Sequence, residues 1–142
     1  MNEYRKLKEK HQEEINKFPL GFAFSNEQFD KMMKNWGLTP EDTDKIYRLP
    51  GGGYVQKKDH KALHEMFDRH AKEREEAIKE DETGEGFIFH MFLDELRNHE
   101  YGYTEDLEDT LDVLGYTMEE IEADKRLTKG LEKAIEVIRG RE

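Results

Sequence analysis

A chain of 142 residues is the commonest size for one domain and is long enough to bury a core without disulfides or metal. Charged residues make up 40% of it, yet 35% hydrophobic and 11% aromatic residues supply the anchors that disordered chains lack. The absence of cysteine excludes a disulfide framework, a thiolate metal site and a cysteine nucleophile, and it suits a reducing cytoplasm. One domain over residues 1–142 is the expectation.

In chain order, Asn2 to Lys17 reads as a surface helix with few apolar anchors, ended by Phe18-Pro19. Gly21-Phe-Ala-Phe-Ser25 reads as a short strand, and Ser25 or Asn26 caps a helix whose Phe29, Met32, Met33 and Trp36 recur at helical spacing up to the stop at Gly37. Thr39-Pro40-Glu41-Asp42 opens a short helical turn. Lys45 to Leu49 and Tyr54 to Lys57 flank Pro-Gly-Gly-Gly, which is a hairpin signal. Asp59 caps a long helix to about Lys79, and Glu80 to Gly86 is a linker. Phe87 to His99 is apolar on most of its circumference, which predicts the central buried helix. Polar turn residues from Asn98 to Thr104 precede two short helices, Glu105 to Leu114 and Met118 to Ala123, and a closing helix from Leu127 to Ile138. The pattern predicts an α+β fold, predominantly α, with about six helices and a small antiparallel hairpin or three-stranded sheet.

The longest apolar stretch, residues 86–93, is interrupted by His90, and the first residues lead straight into a charged helical pattern, so neither a membrane span nor a signal peptide is expected. Trp36-Gly-Leu-Thr-Pro-Glu-Asp and Leu114-Gly-Tyr-Thr-Met-Glu-Glu align at a constant offset of 78, both reading helix, glycine stop, threonine cap, acidic turn. We read this as shared capping chemistry. A helix-turn-helix DNA reader has a similar layout, but here the second helix offers Glu119, Glu120 and Glu122 to phosphate, which is the wrong sign.

Net charge is −11 and unevenly spread: between Asp94 and Asp124 twelve acids stand against one base, Arg97, so this block equals the charge of the entire chain. The C-terminal run with Lys125, Arg126, Lys129, Lys133, Arg139 and Arg141 is basic. Glu105, Asp106, Glu108, Asp109, Asp112, Glu119 and Glu120 crowd a short span with no basic neighbour, a pattern that repels phosphate and attracts cationic surfaces.

Other candidate chemistry is sparse. His60 and His64 sit i and i+4 on one helix, where two imidazoles could share an ion, but the zincin pattern is absent. His70 falls in the apolar stripe of that helix and reads as a hydrogen-bonded core histidine. Glu95 and His99 are i and i+4 on the most buried helix; burying both demands that they be paired, which makes them an internal salt bridge, an acid/base couple or two metal ligands. Gly51-Gly-Gly53 lies between strands and reads as a turn, not a phosphate loop. No nucleophile elbow, Rossmann fingerprint or calcium loop is present, so no catalytic residue and no cofactor is assigned.

Gly21-Phe-Ala-Phe-Ser-Asn-Glu-Gln-Phe29, Gly51-Gly-Gly-Tyr54 and the run from Leu96 to Leu111 resemble a family of small uncharacterised proteins carried by phages and integrative elements of gut Gram-positive bacteria, over nearly the whole chain. The resemblance implies a setting, not a mechanism: small accessory proteins of such elements often look like inhibitors of host defence, including restriction enzymes and CRISPR nucleases, whose DNA grooves are basic. The leading expectation is a cytoplasmic, non-enzymatic binding protein that presents its acidic surface, like a DNA mimic, to the basic groove of such a nuclease. It would make no direct contact with nucleic acid or membrane. The alternative is a metal-dependent hydrolase or metal-stabilised protein using His60, His64, Glu95 or His99.

Overall fold

The computed structural model describes residues 2–140. These form α1 (Glu3–Lys17), β1 (Leu20–Phe22), α2 (Asn26–Asn35), a 3-10 turn (Thr43–Lys45), β2 (Ile46–Leu49), β3 (Gly53–Gln56), α3 (Lys57–Glu80), α4 (Phe87–Asn98), α5 (Tyr101–Thr104), α6 (Glu108–Leu114), α7 (Met118–Glu122) and α8 (Lys125–Arg139). The fold is therefore α+β and predominantly α. Two compact units share it, one of residues 1–10 with 72–142 and one of residues 11–71, and the division falls inside α1 and α3.

The first, helical unit is organised by α4. Its Ile88, Met91, Phe92 and Leu96 are wholly buried, each contributing about 1.5–3 kcal/mol of transfer free energy. Leu127, Leu131, Ala134 and Ile138 of α8 join the same core, as do Tyr101, Leu111, Leu114 and Ile121 from α5 to α7. The approach of α8 to α4 depends on Gly130, where a Cβ would lie 2.6 Å from Ile88 Cγ2 and 2.7 Å from the Gly84 carbonyl oxygen. The linker before α4 is built around Asp81. Its carboxylate accepts from the backbone N–H groups of Gly84, Gly86 and Ile88 at 2.9–3.1 Å, so a residue outside α4 caps the start of that helix. Burial pushes the Asp81 carboxyl up, but these donations outweigh it and hold it below the usual range. Arg126 closes the other side, donating from Nη1 to the Ile78 and Asp81 carbonyls at 2.8 Å each, where α3 ends.

In the second unit the sheet order is β1-β3-β2, all antiparallel, with Gly21 opposite Tyr54 and Arg48 opposite the same residue. Val55 packs with Leu63 and Met66 of α3. Ile46 and Tyr54, one residue to either side in the pleat, pack with Met32 and Met33 of α2. At Gly21 the strand lies close against α2, where a Cβ would have to displace the Met32 side chain and the tip of the Trp36 ring. The turn between β2 and β3 places Gly51 and Gly52 at φ of +80° and +84°, as the triple glycine predicts.

Two sequence expectations need correction. The segment from Asn98 to Thr104 is not only polar turn: it contains α5, held in place by burial of Tyr101, one of eight α-helices among the described residues against the expected count of about six. The helical turn expected to open at Pro40 starts instead at Thr43, because the Asp42 carboxylate bonds back to Thr39 N and Oγ1 at 2.8 and 3.1 Å. The offset of 78 does persist in the hydrogen bonds. Leu38 N donates to Met33 O, and Gly37 N to Lys34 O; Tyr116 N donates to Leu111 O, and Gly115 N to Asp112 O. Both are Schellman stops with glycine in the left-handed region. Thr117 N and Oγ1 then reach Glu120 Oε1 at 3.0 and 3.1 Å, as Thr39 reaches Asp42.

The packing makes a prediction that runs against helix propensity. Gly130→Ala should favour α8 by about 1 kcal/mol on propensity alone. The clash with Ile88 and the Gly84 carbonyl should dominate, giving a net loss of about 1–3 kcal/mol. Urea denaturation checks this, and a higher midpoint for the variant would refute the close approach.

Candidate functional site

The seven acidic candidates lie on the helical unit, and all are exposed. On α6 the buried residues are Thr110, Leu111 and Leu114, which leaves Glu108, Asp109 and Asp112 on the solvent side. On α7 only Ile121 is buried, so Glu119, Glu120 and Glu122 face solvent. Glu105 is matched by Arg139 at 3.3 Å. Among the described residues the other six form no ion pair. Several serve their own backbone: Asp106 accepts from Glu108 N at 2.9 Å, and Glu120 completes a capping box with Thr117. Glu108, Asp109 and Glu119 sit in first turns, where the helix dipole favours anions. Asp112 has no such local role. Capping consumes a lone pair but not the charge, so each carboxylate still faces solvent as an anion.

Apolar side chains are interspersed with these acids. Tyr103 is 92% exposed, and Val113 and Met118 are also open to solvent. Tyr103 is displayed by α5, which lies between two non-glycine residues at positive φ, Glu100 at +56° and Glu105 at +54°. Each left-handed residue costs about 1 kcal/mol; between them the i, i+2 spacing on α5 sends Tyr101 into the core and leaves Tyr103 outside.

Glu95 is buried, 1% exposed, as its position on α4 predicts, but its partner is not His99. Its carboxylate accepts from Tyr4 Oη, from Lys8 Nζ at 2.6 Å and from Asn98 Nδ2 at 3.1 Å. α4 ends at Asn98, and His99 leaves helical geometry as the cap, donating its backbone N–H to Glu95 O. The neighbouring buried carboxylate, Asp94, accepts from Arg5 Nη2 at 3.0 Å and Asn2 Nδ2 at 3.1 Å. A cleft of about 180 Å³ opens beside this network, lined by Arg5, Lys8, Asp94, Arg97 and Asn98. The sequence reading missed Tyr4, Arg5 and Lys8; the available signal was a helix with one aromatic anchor and two cations one turn apart.

The histidines fall into separate groups. His60 and His64 meet, with their Nε2 atoms 3.1 Å apart. His70 is buried as expected, stacked on His11 with ring centroids 3.8 Å apart. Its Nε2 lies 3.3 Å from Glu14 Oε2, yet it has no directed hydrogen bond among the described residues. Arg69, by hydrogen bonding, holds the Glu14 carboxyl down at about 2. No group of three or more His, Asp or Glu placed to share a metal ion is found among the described residues. In the sheet unit, an open pocket of about 630 Å³ lined by Phe24, Phe29, Arg48 and Tyr54 was not foreseen either.

The Glu95 network makes stability depend on pH at both ends. Burial pushes the Glu95 carboxyl up, but the donations from Lys8, Tyr4 and Asn98 outweigh it and leave it below its ordinary 4.5. A carboxyl more acidic in the folded than in the unfolded chain stabilises the fold above its unfolded pKa, and that contribution is lost as pH falls through the folded value. Burial, then the Glu95 hydrogen bond, pushes the Tyr4 hydroxyl well above its ordinary 10.0, so its contribution is intact below that value and lost as pH rises through the higher one. We expect a plateau from about pH 5 to pH 9. Glu95→Gln should lose about 1–3 kcal/mol at pH 7, and its acid limb should be shallower but not flat, because Asp81 and Glu14 titrate there too. Chemical denaturation across pH measures this; an acid limb identical to wild type would refute the assignment.

No helix among the described residues is long and apolar enough to cross a membrane. No curated protein and no solved structure significantly matches the chain. The model of a family of unknown function, DUF7659, matches residues 3–137, nearly the entire length, and the chain belongs to that family.

Proposed function

We propose that this chain is a non-enzymatic binding protein of a phage or mobile element, and that it presents the acidic α5–α7 surface to the basic groove of a host defence nuclease of the CRISPR or restriction type. One observation carries the reading: six of the seven clustered carboxylates are exposed and form no ion pair among the described residues, while the buried Asp94 and Glu95 of the same unit are each matched by a cation. Unmatched surface anions repel one another and lower the stability of the isolated fold, a cost that a cationic partner removes on binding.

Tyr103 deepens the reading. Charge complementarity sets encounter rate and partner choice, whereas affinity comes from a few desolvated anchors among which tyrosine is enriched. An aromatic ring displayed almost fully in solvent among acids is such an anchor in its unbound state. The residues 11–71 unit, with ten acids against nine bases, is nearly neutral, so the −11 of the chain resides almost wholly in the helical unit.

The test is protection of phage or plasmid DNA in a host carrying an active CRISPR or restriction system. Wild type should raise plating or transformation efficiency. A variant with Glu108→Gln, Asp109→Asn, Asp112→Asn and Glu119→Gln, which spares the capping Asp106 and Glu120, should lose that protection while keeping its circular dichroism spectrum. Tyr103→Ala should weaken binding to the captured nuclease about tenfold or more, and raising salt should slow association. Full protection by the four-site variant would overturn the proposal.

A further inference from the structure

The His60–His64 pair takes no part in the acidic surface. His64 is exposed and His60 is half-buried, on successive turns of α3. The His60 ring is held from the other side by Tyr47, at 4.4 Å between centroids, and it meets His64 edge to face, also at 4.4 Å. The two Nε2 atoms are brought to 3.1 Å, and one must donate to the other. A neutral hydrogen bond at an exposed site gains little over hydration by water, so this arrangement contributes little to folding.

Its geometry matches a chelate. Imidazole nitrogen binds Zn²⁺ at about 2.0–2.1 Å, and two such bonds spanning 3.1 Å subtend about 98° at the metal. That lies between the roughly 90° of a square-planar centre and the roughly 109° of a tetrahedral one. We propose that His60 and His64 form a two-point surface site for one first-row transition-metal ion, with the remaining positions open to water or to an incoming donor. Metal entry requires both Nε2 lone pairs, so the donating ring shifts its proton to Nδ1 and no other bond is broken. With only two imidazoles, the site discriminates by intrinsic affinity, and Cu²⁺ should bind ahead of Ni²⁺ and Zn²⁺. The helix pre-organises the pair: in the unfolded chain the two rings are not held one turn apart, so metal binds the folded form preferentially.

The experiment is calorimetric titration of the full chain with CuCl₂, NiCl₂ and ZnCl₂, each alone, in a non-coordinating buffer. The expected result is one saturable equivalent, with affinity reduced about tenfold or more in each of His60→Ala and His64→Ala and unchanged in His90→Ala and His99→Ala. A melting temperature raised by NiCl₂ in wild type, but not in His64→Ala, gives a second readout of folded-state binding. His64 is exposed, and His64→Gln with a native circular dichroism spectrum excludes misfolding as the cause of a loss. No saturable binding, or binding that persists when His60→Ala and His64→Ala are combined, would overturn the site.

Discussion

Two carboxylates buried side by side on the central helix constrain how the helical unit is built. Asp94 and Glu95 occupy consecutive positions on α4, and an unmatched buried ion costs several kcal/mol even after relaxation. α1 supplies what they need. Its only fully buried residue is Tyr4, so hydrophobic burial alone cannot fix it. Tyr4, Arg5 and Lys8 instead reach Glu95 and Asp94 from adjacent turns, and the helix is held by charge and hydrogen bond. Both cations remain half in solvent, which spares them most of the desolvation that the carboxylates incur.

The same unit treats its carboxylates in opposite ways. Inside, every negative charge meets a donor: Glu95 and Asp94 in the core, and Asp81 beneath the start of α4. Outside, from Asp106 to Glu120, the acids apart from Asp112 serve as caps and first-turn residues, and none of them meets a cation among the described residues. Helices of four, seven and five residues are too short to persist by themselves. They hold through Tyr101, Leu111, Leu114 and Ile121 in the shared core, and that burial offsets the repulsion on their outer faces.

Much of this was legible because it depends on local rules. The apolar circumference of residues 87–99 predicted the central helix, the triple glycine predicted the hairpin, and glycine followed by threonine predicted both Schellman stops. Boundaries failed where a side chain bonded backwards, as Asp42 does to Thr39. α5 was missed because polar neighbours mask the single buried ring, Tyr101. The candidate site was legible as a run of charge, since exposure of acids on short helices needs no tertiary knowledge. The partners of Glu95 were not: Tyr4 and Lys8 lie about ninety residues away in sequence, and an i, i+4 neighbour such as His99 was the only partner that local spacing could suggest. The His60–His64 contact shows the same rule succeeding, because α3 continues through both residues while α4 stops before His99.

Charge alone does not make the acidic surface a binding site of useful lifetime. At physiological ionic strength the field of an exposed carboxylate is screened within about 8 Å, so in the proposed complex the cluster would attract a basic groove only over the last approach, and charge pairs at a wet rim add little to affinity. Residence must come from surface that excludes water. Tyr103, Val113 and Met118, exposed among the acids, would provide that area in the proposed complex. Two positions apart on one helical turn, Tyr101 enters the core and Tyr103 faces solvent. In the proposed complex, charge would set the approach and the exposed ring the residence.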